Sequence, residues 1–152
     1  MKEIERKFLM ADGFKVTDFL YVDKKNIEDF YLNKFTRIRH ENDIYFVTIK
    51  SIGNIERDEY TYEINLKPSI DIQPLKKVRF IIPFKNQNFE VNLFADIKYK
   101  GAPLTIIEIE LESKEQHLQF PEWIGEEITY DERFYGYNLA KLCQYKSFEI
   151  TS

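Results

Sequence analysis

Near the start of the chain, "EIERKF" spaces Glu3, Glu5 and Lys7 two residues apart. Successive side chains of a strand point to opposite faces, so these three share one face while Ile4, Arg6 and Phe8 share the other. The alternation recurs downstream. Arg37 and Arg39 share a face in "TRIRH", Thr48 and Lys50 in "YFVTIKS", and Lys77 and Arg79 in "KKVRF". Arg57, Glu59, Thr61 and Glu63 line one side of "ERDEYTYEI", and Glu90 and Asn92 one side of "FEVNL". In "TIIEIELES", Glu108, Glu110 and Glu112 face away from Ile107, Ile109 and Leu111.

An antiparallel sheet with one wet face alternates in this way while its charges are simply solvated. Two features set this chain apart. Several of the faces carry arginine, whose planar fork suits bidentate phosphate recognition. The signs are also segregated by strand, cationic at 37–39, 50 and 77–79 and largely anionic at 3–5 and 108–112. If the sheet curls into a barrel with these faces inward, a basic wall opposes an acidic one. The basic wall suits a polyphosphate chain. The acidic wall repels itself unless it binds a divalent cation, for which carboxylate oxygens are natural ligands. On this reading Glu3 and Glu5 hold metal and Lys7 holds phosphate.

The elements that must position these groups read mostly as strands. β-rich segments span 2–9, 29–40, 43–51, 56–66, 76–84, 88–94 and 103–113, joined by turn signals of which Gly53-Asn54 is the clearest hairpin connection. Pro68 and Pro74 bracket a break that has room for a short helical turn. Ser113 and Gln116 have capping-box spacing, which predicts a short helix from Lys114 to "FPEW". Leu139, Leu142 and Cys143 recur at helical spacing and predict an amphipathic C-terminal helix packed on the strands. The pattern is α+β.

Composition bounds the rest. The 152 residues are 43% hydrophobic, enough for one domain over 1–152 and hardly for two. A net charge of -4 argues against a general nucleic-acid binder. The lone Cys143 has no intrachain partner and fits a reducing cytoplasm. Charges interrupt the N-terminus from the second residue, so no signal segment or membrane span is expected. His40 and His117 do not suggest a metal pair, and no glycine-rich phosphate loop or Ser/His/Asp set is present. Trp123 and Cys143 read as packing residues.

These residues resemble a known family. "EIERK" is similar to the E-x-E-x-K signature of the CYTH superfamily, the triphosphate tunnel metalloenzymes. "RIR", "TIKS", "RDEY", "KVR", "FEVNLF", "IEIE" and "WIGEEITYDERF" follow in the order that small bacterial members show. The resemblance implies an eight-stranded antiparallel β-tunnel with a charged interior and a C-terminal helix near one mouth. It implies Mg²⁺ or Mn²⁺ and a small-molecule triphosphate: inorganic tripolyphosphate first, with thiamine triphosphatase or class IV-type adenylyl cyclase activity as alternatives. Carried over, Glu3, Glu5, Glu108 and Glu110 look like metal ligands. Lys7, Arg37, Arg39, Lys50, Arg57, Lys77 and Arg79 look like the phosphate-binding set, joined by Arg133 of "DERF". Glu5, Glu59 and Glu90 are the catalytic candidates, and the general base stays open among Glu59, Glu90, Glu108 and Glu110.

Two positions depart from the family pattern. Asn92 stands where small bacterial members usually have Asp, which removes a charge from the acidic wall and admits a third reading, a phosphate-binding module without catalysis. In "RFYGYNLA", Gly136 stands at a position that is commonly Asn, a change at the tunnel mouth. Strand edges and aromatics could also support a homodimer.

Overall fold

A computed structural model describes residues 2–65, 67–145 and 148–151. Its frame is β1 (Lys2–Met10), β2 (Asp23–Tyr31), β3 (Thr36–Glu41), β4 (Ile44–Lys50), β5 (Glu56–Ile64), β6 (Leu75–Phe84), β7 (Gln87–Tyr99) and β8 (Ala102–Glu110). They pair antiparallel in the order β7-β6-β2-β3-β4-β5-β1-β8, and β8 pairs back onto β7, which closes the sheet into a barrel. Closure leaves alternate residues inside, so the charged faces read from the sequence become the wall of a cavity. Two short strands flank the barrel, β9 (Ile124–Glu127) on β1 and β10 (Glu149–Ile150) parallel to β7. One helix, α1 (Gly136–Gln144), follows β9. No helix among the described residues is long and apolar enough to cross a membrane.

Tight turns set the registers. Asn42-Asp43, Lys85-Asn86 and Lys100-Gly101 all have positive φ, the geometry of two-residue hairpins whose twist matches the strands. Gly53-Asn54 does join β4 to β5, but within a longer loop at 51–55. A Cβ at Gly53 would collide with the Glu56 carbonyl oxygen.

β1 is shared between neighbours. Lys2–Ile4 pair with β5, and Glu5–Leu9 pair with β8. Beyond Glu5 the β5 side of β1 is taken over by the chain after β9, where Thr129 Oγ1 accepts from the Lys7 N–H (3.0 Å) and Ile128 donates to the Lys7 carbonyl (2.8 Å). Two apolar cores result. One lies outside the barrel, where Phe8, Phe80, Val91, Ile107 and Ile109 are covered by residues including Val16, Leu118 and Trp123. The other closes one end of the interior, where Leu75, Phe94 and Ile106 meet Phe134, Leu139 and Cys143.

Three expected elements differ. The segment 29–40 is two strands, and β2 begins at Asp23 in the strongly polar "DKKNIE". Its polar residues hide a strand because pairing with β3 and β6, rather than propensity, holds it. The helix after Ser113 does not form. Gln116 closes a single turn onto the Ser113 carbonyl (3.2 Å) while its side chain accepts from the Glu112 N–H (2.7 Å), and Leu118 enters the core. The 67–74 break carries no helical turn.

Candidate active site

A cavity of about 630 Å³ is lined by β1 to β8 and the start of α1. Its acidic arc spans three adjacent strands. Glu5 stands opposite Glu110, and Lys7 opposite Glu108, across the β1–β8 pairing. Glu90 stands opposite Glu108 across β7–β8. Carboxylate oxygens of Glu3, Glu5 and Glu110 lie within 4.8 Å of one another. Both cationic contacts of Glu3 fall on one oxygen, Oε1, at 3.0 Å from Arg57 Nε and 3.4 Å from Lys50 Nζ. Glu110 makes no ion pair among the described residues.

Burial makes this arc unstable as a set of bare charges. Removal from water and the neighbouring Glu108 push the Glu5 carboxyl up to about 8. Burial also acts on Glu108, but Lys7, Lys77 and Arg79 hold it well below the usual carboxylate range. Hard oxygen donors that repel one another at this spacing are the donor set a divalent cation takes, so the residues present fit such an ion. Glu108, expected with the ligands, lies outside this three-carboxylate group but beside Glu5, and it also accepts from Asn92 (3.1 Å) and pairs with Arg79 (3.8 Å).

The basic arc draws its cations from β6, β3 and β4, with Arg57 added from β5. Its keystone, fully buried Asp29, is a residue that the sequence reading missed. Arg39 donates to both Asp29 oxygens (2.8 and 3.0 Å), Lys77 approaches at 3.6 Å and Arg37 at 3.8 Å. Burial alone would raise the Asp29 carboxyl, yet Arg39, Arg37 and Lys77 hold it far below the usual range. Desolvation, with Arg79 and Arg39 close by, lowers the Lys77 ammonium to about 7. Arg37 gives one bond to Thr48 Oγ1 (3.3 Å), while its Nε is buried with no hydrogen-bond partner among the described residues. One carboxylate shared by these cations leaves the arc with capacity for further anionic oxygens.

The CYTH domain family model matches residues 1–138. The chain belongs to the CYTH family. It is 32% identical to an inorganic triphosphatase of Acetivibrio thermocellus, with 97% of this chain and 98% of that protein aligned. It is 33% identical to an inorganic triphosphatase of Nitrosomonas europaea, with 92% and 97% aligned. The solved structure of the inorganic triphosphatase NE1496 superposes with a TM-score of 0.62 at 30% identity, covering 91% of this chain and 97% of that one.

Within this CYTH barrel, Asn92 acts as a bridge between the arcs. Fully buried, it accepts from Arg79 Nε (2.8 Å) and donates to Glu108 (3.1 Å) and the Ile106 carbonyl (3.2 Å). A carboxylate there could accept from Arg79 but could not donate to Glu108. Arg79 also meets Glu90 at 2.7 Å. Glu59 lies 3.3 Å from Lys50, and despite burial the Glu3 and Lys50 contacts lower its carboxyl. Burial and the nearby Glu108 and Glu110 raise Glu90, against the pull of Arg79. Arg133 alone of the expected set lies outside the cavity. It pairs with Asp131 (2.7 Å), donates to the Thr151 carbonyl (3.1 Å) and lies over Tyr99 and Phe134. Asp29 left one usable trace in the sequence, an acid between Ile27 and Tyr31 on the same strand face.

Proposed function

We propose that this CYTH protein is a divalent-metal-dependent triphosphatase that hydrolyses inorganic tripolyphosphate. The observation that carries the reading is the opposition of the Glu3/Glu5/Glu110 cluster to a cationic arc with an unsatisfied Arg37 Nε. The names of the aligned relatives point the same way.

Glu3, Glu5 and Glu110 would hold Mg²⁺ or Mn²⁺, with Glu108 beside Glu5 in the same cavity. When bound, the ion supplies positive charge at the phosphoryl oxygens and orients water. Arg37, Arg39, Lys50, Arg57, Lys77 and Arg79 bind the non-bridging oxygens and neutralise charge as the phosphoanhydride breaks. Lys7, whose ammonium stays protonated despite burial because Glu108 and Glu5 face it, binds phosphate from the acidic side. Among the carboxylates, Glu90 is the best placed to accept a proton from the attacking water. Its affinity for a proton is raised, whereas Glu59 and Glu108 are depressed by their cations. Arg133 has no role in this scheme. A single buried cysteine accords with a cytoplasmic enzyme.

The test is phosphate release from tripolyphosphate, ATP and thiamine triphosphate with Mg²⁺, Mn²⁺ or EDTA. Metal-dependent release that is fastest with tripolyphosphate is expected. Binding of all three without release would replace the enzyme with a phosphate-binding module.

A further inference from the structure

The end of the cavity nearest α1 is built from aromatic side chains. Tyr31, the last residue of β2, lines the cavity together with Phe35, Tyr135 and Tyr137. It shares that cavity with Lys7, Arg39 and Arg57, cations from separate strands. On its other side, the Tyr31 hydroxyl lies against Gly136, where any Cβ would collide with the hydroxyl and its ring carbon. Tyr31 and Tyr137 pack edge to face, with centroids 6.4 Å apart, and Lys141 Nζ lies 4.7 Å from the centre of the Tyr137 ring. Across the opening, the Tyr135 hydroxyl donates to Asn54 Oδ1 (2.6 Å) and ties the start of α1 to the β4–β5 loop.

Tyr31 therefore fills the space between the cationic groups and the helix, and Gly136 is the residue that lets it reach there. The end of an inorganic phosphate chain carries only small oxygens. A nucleoside or thiazolium group on the terminal phosphate needs room beyond the cations, where the tyrosine stands. We propose that Tyr31, seated on Gly136, is a specificity-determining residue that confines the cavity to linear polyphosphates with unsubstituted ends. This inference rests on the reading of the cavity as a triphosphate site.

The experiment compares wild type, Tyr31→Phe and Tyr31→Ala for kcat/KM on tripolyphosphate and on ATP with Mg²⁺. Thermal shifts induced by each compound are measured alongside. The tripolyphosphate-to-ATP ratio should fall about tenfold or more in Tyr31→Ala, the scale of discrimination that lost bulk in a pocket produces. It should stay near wild type in Tyr31→Phe, which keeps the ring. Gly136→Ala should lower the melting temperature of wild type and be better tolerated in Tyr31→Ala. An unchanged ratio in a folded Tyr31→Ala protein would overturn the proposal, as would a Gly136→Ala penalty equal in both backgrounds. Failure of wild type to release phosphate strikes the triphosphatase reading alone. In that case a binding preference for tripolyphosphate that Tyr31→Ala erases would still support the role of Tyr31, and its persistence would defeat it.

Discussion

Glu5 and Asp29 are both buried carboxylates, yet their surroundings drive them in opposite directions. Glu5 faces other acids, so the protein favours its neutral form, while Asp29 is surrounded by cations and stays ionised. Glu5→Gln should therefore leave the fold intact and, with Glu5 as the proposed metal ligand, cut turnover by about a hundredfold or more. Phosphate release and a melting curve on the same sample check both halves. Asp29→Asn should cost about 3–5 kcal/mol, since it strands Arg39, Arg37 and Lys77 without their counter-charge. Asp29 binds its proton more weakly in the folded state than in the unfolded chain. Its contribution is thus complete above the ordinary carboxylate range and lost as pH falls below it. Chemical denaturation from pH 7 down to pH 3 should show wild type losing its advantage over Asp29→Asn. Asn92 bears on the same balance. Asn92→Asp should lower the melting temperature in EDTA, because it sets a further carboxylate against Glu108 and Glu90.

At the scale of elements, the working faces of β1, β3, β6 and β8 were legible because alternation alone sorts their side chains. Glu3, Glu5, Arg37, Arg39, Lys77, Arg79, Glu108 and Glu110 all line the cavity as their strand parity requires. The start of β2 was illegible because "DKKNIE" has one β-branched residue, Ile27, among five polar ones, and Asp29, at the edge of the segment that did read as a strand, was not singled out. A contact such as Tyr31 on Gly136 joins residues that no local pattern relates. The β4–β5 loop carries its own prediction. Tyr135→Phe deletes its bond to Asn54 and should cost the fold about 1 kcal/mol or less. Hydrogen exchange should rise at 51–55 and at the start of α1, while the strand amides keep their protection.

Taken as a whole, the proposed metal site would couple metal to proton and to stability. The folded state holds the Glu5 proton more tightly than the unfolded chain, so without metal its contribution fades as pH rises from near 4.5 through about 8. Melting temperatures in EDTA should fall over that interval and recover on addition of Mn²⁺ at pH 8. Metal binding at pH 7 should also release protons into a weakly buffered indicator solution. Absence of both effects would detach Glu5 from the metal.

The divided pairing of β1 also governs how the molecule is made. Glu3 meets β5, Glu5 meets β8, and Lys7 meets the chain near Thr129. The last two pairings span roughly a hundred residues or more, so the loop entropy of closure is spent before they repay it, the condition that slows folding. Hairpins such as β3–β4 and β6–β7 can form locally while β1 waits with its backbone unpaired. The carboxylates that β1 and β8 bring together are accordingly expected among the final contacts to assemble, and a nascent chain still lacking β8 would have strands but not the carboxylate cluster.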